Sequence, residues 1–209
     1  MAQSPGLWLR LLENSCVFAL TQRLGRGTVA GYRALLDDNL RIARTDRVLD
    51  LGCGIGALSE ALDCDYYGID SNPHYIRSAR RRFRGRFEVM DCAALAFPDA
   101  HFDHVISVAV FHHLDDAQVL ATVREALRVC RGGGAMHAID AILPIDAGAW
   151  LKRRIFLADR GRHPRRFEDL LGLIDRDFKV SRTSVHRAFP HDSCYIRVDC
   201  GESPGGVSR

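Results

Sequence analysis

The chain predicts an α/β fold: a doubly wound, mostly parallel seven-stranded sheet that ends in an antiparallel hairpin and is preceded by a helical cap. Three observations carry that prediction. A buried-strand run, Arg47-Val-Leu-Asp-Leu51, passes through Asp50 into a turn with glycine at 52, 54 and 56. From there to residue 140, short β-prone runs alternate with helical stretches, the pattern of a parallel sheet wound by right-handed crossovers. Beyond residue 178 two strand-like runs follow one another with no helix between them, which calls for antiparallel pairing.

Taken in order, residues 7–43 read as helical, with Leu7, Leu11, Leu12, Val17, Leu20 and Leu24 spaced for one apolar face and Gly25-Arg26-Gly27 as a break. Strands are expected at 47–53, 65–70, 86–91, 103–110 and 134–140, and helices at 57–62, 73–83 and 115–130. Pro73 suits the first position of its helix, and Gly132-Gly-Gly134 is expected to end the helix before the fifth strand. Residues 145–159 and 166–175 read as helices, and 178–187 and 193–200 as strands joined across Ala188-Phe-Pro-His-Asp192. The expected plan is a cap or lid at 1–46, one core domain at 47–200 and a tail of loop composition at 201–209.

At 209 residues, with 47% hydrophobic and 26% charged residues, the chain can bury one substantial core. No apolar run approaches the roughly 20 residues that span a bilayer, and the first residues lack a basic segment leading into an apolar one. A cytoplasmic protein with no membrane partner is the expectation. The seven cysteines (16, 53, 64, 92, 130, 194 and 200) form an odd set without a Cys-x-x-Cys pair, so they read as reduced, mostly core residues rather than a disulfide or zinc framework. A net charge of +3 does not by itself point to nucleic acid. The arginines cluster, however. The run Arg77, Arg80, Arg81, Arg82, Arg84 and Arg86 lies at a helix C-terminus, where cations suit the dipole, and reads as a solvated face. The run Lys152, Arg153, Arg154, Arg160, Arg162, Arg165 and Arg166 reads as surface, with an anionic group of an acceptor as its functional alternative.

The ligand of the glycine turn follows from charge. Gly52-x-Gly54-x-x-Ala57 fits the loose dinucleotide fingerprint, in which a pyrophosphate lies on helix N-terminal amides. Asp50 would oppose such a ligand. It suits one that carries an ammonium and a sulfonium and no phosphate, and S-adenosylmethionine is such a ligand. Val48 to Gly56, Tyr67-Gly-Ile-Asp70, Val89-Met-Asp91, Phe102-Asp-His-Val-Ile-Ser-Val-Ala-Val-Phe-His-His-Leu114 and Arg128-Val-Cys-Arg-Gly-Gly-Gly134 stand in the expected order. Over about residues 47 to 141 the chain thereby resembles the class I S-adenosylmethionine-dependent methyltransferases, of the small bacterial kind grouped as methyltransferase type 11.

That resemblance implies a Rossmann-like methyltransferase fold, S-adenosylmethionine as cofactor and S-adenosylhomocysteine as product. It places Asp50 and the backbone of Gly52, Cys53, Gly54 and Gly56 at the methionine end, completed near Val108. Asp70, with Ser71 beside it, is placed at the ribose hydroxyls, and Asp91 with the Cys92 amide at the adenine. His112 and His113 are the candidate catalytic bases, with support of the cofactor loop as the alternative; His186 and His191 are weaker candidates. The Asn/Asp-Pro-Pro-aromatic turn of many base and amide methylating enzymes is replaced here by Val110-Phe-His-His113. Asp115, Asp116 and Asp140 are the carboxylates a magnesium site would recruit, but Asp115 and Asp116 read as helix caps and no metal is expected. A segment Leu157-Ala-Asp-Arg-Gly-Arg162, with Arg165-Arg-Phe167 and Phe189-Pro190, is similar to a subgroup of small bacterial methyltransferases. Trp150, Phe156, Phe167 and Phe189 are candidates to line an acceptor pocket, and Tyr32 and Arg33 to belong to a lid. The implied activity is in-line transfer of a methyl group to oxygen or nitrogen of a small-molecule acceptor. The alternatives are an RNA methyltransferase, a non-catalytic cofactor-binding regulator and a nicotinamide dehydrogenase. Oligomeric state is not legible in the residues.

Overall fold

The computed structural model describes residues 26–146, 149–150, 152–154, 162–187 and 191–201, with the backbone alone for residues 26–31. The expected helical segment at 7–24, the tail beyond residue 201 and the aromatics Phe156 and Phe189 lie outside these residues. A helix α1 (Arg26–Asn39) leads to β1 (Arg47–Leu51), a 3₁₀ turn (Ala57–Glu60), β2 (Asp65–Asp70), α2 (Pro73–Arg82), β3 (Arg86–Val89), β4 (Phe102–Val108), a second 3₁₀ turn (Phe111–His113), α3 (Asp116–Val129), β5 (Cys130–Ile142), α4 (Phe167–Asp175), β6 (Val180–His186) and β7 (Asp192–Asp199). One seven-stranded sheet runs in the order β3-β2-β1-β4-β5-β7-β6. The first five strands are parallel to one another, and β7 lies antiparallel between β5 and β6. This is the expected doubly wound sheet with its antiparallel end. No helix among the described residues is long and apolar enough to cross a membrane.

Alternation along β1 sends Val48 to one face and Leu49 and Leu51 to the other. Val48, Ile106, Ile139 and Tyr195 pack against Tyr32, Leu35 and Leu36 of α1 and Leu40 just beyond its end. The opposite face holds Leu49, Leu51, Val105 and Met136 against Val119, Val123 and Ala126 of α3 and Leu170 and Ile174 of α4. The cap helix is therefore part of the core and covers one sheet face. Both α2 and α3 start where their sequences place caps. Asn72 accepts a bond from the His74 amide at 2.9 Å ahead of Pro73, and Asp115 with Gln118 forms a capping box.

Several expected elements differ, for local reasons. Residues 57–62 form only the 3₁₀ turn Ala57–Glu60: none of its residues is buried, so no apolar face pays for further turns. Of the expected break Gly25-Arg26-Gly27, Gly25 lies outside the described residues, and α1 starts at Arg26 with Gly27 in its first turn. Gly132 to Gly134 lie within β5, where the register with β4 shifts between Phe102 and His104. A Cβ on Gly134 would stand 2.5 Å from the Asp103 carbonyl oxygen, so this glycine serves the irregular pairing rather than a helix end.

Candidate functional site

In an open parallel sheet the crevice lies at the carboxyl ends of the strands, where the winding reverses. Here that point falls between β1 and β4. The turn after β1 takes φ of 68° at Gly52, 55° at Gly54 and 82° at Gly56, all in the left-handed region that favours glycine. Gly52 is also fixed by space, because a Cβ would meet Val110 Cγ2 at 2.6 Å. At Gly54 a Cβ would meet nothing within 4 Å, so this part of the turn is open to a ligand. Ala109, which follows Val108 at the end of β4, has φ of 58°, a strained value for a residue with a Cβ.

Asp70 ends β2 and reaches back to the turn: Oδ2 accepts from the Gly54 amide at 3.0 Å and Oδ1 from the Asn72 amide at 2.7 Å. Burial raises its pKa, while those two amides and nearby His113 lower it. Asp91, past the end of β3, is exposed and accepts from the Ala93 amide at 2.9 Å. Ser71 is exposed beside Asp70. Cys92 is half-buried, its sulfur accepting from the Thr122 hydroxyl at 3.3 Å, and burial pushes its thiol pKa up. Cys53 packs close to Gly68 and is likewise held protonated by burial. The turn, Asp70, Asp91, Val108 and both histidines are thus assembled at neighbouring strand ends.

Asp50 is placed differently from what its charge suggested. It is 2% exposed, beneath the turn rather than in the crevice, and accepts the Tyr66 hydroxyl. Burial raises its pKa from 3.8 to about 7, partly offset by that bond.

The two histidines also part company. His113 is exposed. His112 is 5% exposed, with Nδ1 2.5 Å from Asp140 Oδ1. The other Asp140 oxygen accepts the Phe111 amide. Arg165 braces the same turn, donating to the carbonyls of Phe111 at 2.8 Å and Leu114 at 2.7 Å, and pairing with Asp116. The sequence reading places Arg165 on the surface or against an anionic acceptor group, and Asp140 only as a possible metal ligand. The available signal was an acid inside the apolar run Ala138-Ile-Asp-Ala-Ile142, the counterpart of Asp50 in β1. Lys152 of the same basic cluster pairs with fully buried Asp192 at 2.8 Å. Among the described residues no three His, Cys, Asp or Glu side chains gather to hold a metal.

Of the proposed acceptor-pocket and lid residues, Trp150 is 66% exposed and Phe167 packs against the core. Tyr32 is buried and its hydroxyl lies 2.9 Å from His191 Nε2. Arg33 pairs with Asp37 on the surface of α1. His186 bonds to Ser184 within β6.

Residues 48–134 match the model of a methyltransferase domain family. That span holds the glycine turn, Asp70, Asp91 and both histidines. The chain is 40% identical over 101 residues to the 2-methyl-6-phytyl-1,4-hydroquinone methyltransferase of Synechocystis sp., covering 44% of this chain and 31% of that one. It is 35% identical over 115 residues to the 27-O-demethylrifamycin SV methyltransferase of Amycolatopsis mediterranei, covering 49% and 42%. The chain thus spans less than half the length of these two relatives. In structure it resembles the PH0226 protein of Pyrococcus horikoshii, with a TM-score of 0.68 at 20% identity over 84% of this chain and 90% of that one. At that identity the likeness speaks to the fold.

Proposed function

We propose, from the premise that this chain carries a class I S-adenosylmethionine-dependent methyltransferase domain, that it transfers a methyl group to an oxygen or nitrogen of a small-molecule acceptor. The observation that carries the reading is the meeting, at the reversal point of the sheet, of an open glycine turn with the carboxylates Asp70 and Asp91 at the ends of β2 and β3. In this reading the Gly52–Gly56 backbone and Val108 hold the methionine end of the cofactor, with Asp50 beneath. Asp70 beside Ser71 takes the ribose hydroxyls, and Asp91 with the Cys92 amide takes the adenine. When bound, the cofactor supplies a methyl group already activated by a positive sulfur. The chain then has to orient the acceptor and exclude water, effects that supply on the order of 7–11 kcal/mol. His113 or His112 would take a proton from an acceptor that must lose one.

Small-molecule acceptors fit the two relatives' names, and the topology favours them over RNA. The α2 helix runs back from the carboxyl ends of the strands, so Arg80, Arg81, Arg82 and Arg84 gather at the end of the sheet remote from the glycine turn. The second basic cluster is partly consumed by Asp192, Phe111 and Leu114.

The test is calorimetric titration with S-adenosylmethionine and, separately, with NAD. Micromolar binding of the first, lost on Asp70→Ala, is expected. Binding of NAD alone would overturn the reading. Incubation with methyl-labelled cofactor and a metabolite extract then identifies the acceptor.

A further inference from the structure

We infer that Asp140 is a positioning residue for His112, fixing which ring nitrogen can act as a base. This rests on the methyltransferase reading above. Asp140 is 2% exposed and stands on β5, one strand beyond β4 from the glycine turn. Both its oxygens are directed to the turn after β4, one to the Phe111 amide and the other to His112 Nδ1 at 2.5 Å. A backbone amide can only donate, so the carboxylate is an acceptor on that side. Facing the same carboxylate, Nδ1 carries the proton, and the imidazole lone pair lies on Nε2. The two bonds are made by one rigid group. They set the ring's orientation and the path of the turn together.

The turn cannot drift away from this arrangement. The His163 amide donates to the His112 carbonyl at 3.0 Å, and Arg165 holds the carbonyls on either side of the histidine pair. Next to them Val110 presses against Gly52 of the cofactor turn. The His113 ring, centred 4.0 Å from that of His112, is within electrostatic reach of Asp70. A proton acceptor held in this way keeps a fixed relation to the cofactor turn, which in-line transfer requires. A buried carboxylate behind a histidine is also how a neutral tautomer is held in other hydrolytic and transfer sites.

Asp140→Asn tests this with almost no change of shape. Its carbonyl oxygen can accept from Phe111, but its NH₂ then faces Nδ1 and drives the ring proton to Nε2. Long-range ¹H–¹⁵N correlation spectra should show His112 protonated on Nδ1 in the wild type and on Nε2 in the variant, with a thermal melt confirming that the variant folds. A wild-type ring protonated on Nε2 or on both nitrogens at pH 7.5, or a tautomer unchanged by the substitution, would overturn the inference. In the labelled-cofactor assay, Asp140→Asn and His112→Gln should each slow transfer about 10²-fold, and the double variant no more than either. Fully additive losses would mean independent structural effects and would also overturn it. Failure of the wild type to bind S-adenosylmethionine would sink the functional reading instead, leaving the tautomer experiment to decide the role of Asp140.

Discussion

Replacing His137 by leucine should make the protein more resistant to mild acid. The ring is 1% exposed on β5, its Nδ1 lies 2.8 Å from the Tyr195 hydroxyl, and its Nε2 has no hydrogen-bond partner. Burial, aided by His104 and Arg197, pushes its pKa down from 6.5 to about 3. The folded state keeps the ring neutral while the unfolded chain takes up a proton. The stability this contributes is complete above pH 6.5 and is lost as pH falls through the folded pKa of about 3. Between pH 7 and pH 5 the loss is about 2 kcal/mol. Asp50 acts in the opposite sense. Its folded pKa is raised from 3.8 to about 7, so its contribution is present below 3.8 and is lost as pH rises through 7. Over the same interval acidification gains about 2 kcal/mol. The two nearly cancel in the wild type. His137→Leu should therefore be about 2 kcal/mol more stable at pH 5, relative to pH 7, than the wild type, and Asp50→Asn about 2 kcal/mol less. With a urea m-value of about 2 kcal/mol/M, each shift moves the midpoint by about 1 M. Urea titrations at the two pH values measure it. Parallel pH responses in all three proteins would refute the reasoning.

Gly52→Ala combines a positive φ with a contact of 2.6 Å to Val110 and should weaken S-adenosylmethionine binding at least about tenfold by calorimetry. Wild-type affinity in that variant would exclude a tight turn as the cofactor seat. Loss of the α2 cap in Asn72→Ala should cost about 1 kcal/mol in thermal unfolding and leave cofactor affinity within twofold. Arg165→Ala removes the brace of the turn after β4 and should cost about 2 kcal/mol in stability. If the denaturation midpoint does not move, the brace is not a structural one.

How much of this was legible in the sequence depended on whether a signal was local. Strand and helix order, the caps at Asn72 and Asp115, and the strand-end carboxylates follow from short-range patterns, and the sheet's antiparallel end follows from two strands with no helix between them. What escaped depends on contacts distant in sequence. Asp50 reads as a charge facing the ligand, and only its bond to Tyr66 reveals that it is buried. Asp140 meets His112 across two neighbouring strands, and Arg165 reaches Phe111 from 54 positions along the chain. The triple glycine misled for a related reason. At Gly134 the need for a small residue comes from the Asp103 carbonyl on the next strand, which no local pattern announces.

β7 inserts between β5 and β6 and runs opposite to both. Because β6 runs parallel to β5, β6 ends and β7 begins at the same end of the sheet as the glycine turn, with β7 three strand positions from β1. In the proposed function, substitutions at that end of β6 and β7 lie apart from the strands that would seat the methyl donor. The helix α1 does not share that separation, because its Tyr32 meets His191 while its neighbours pack on Val48 and Ile106 of β1 and β4.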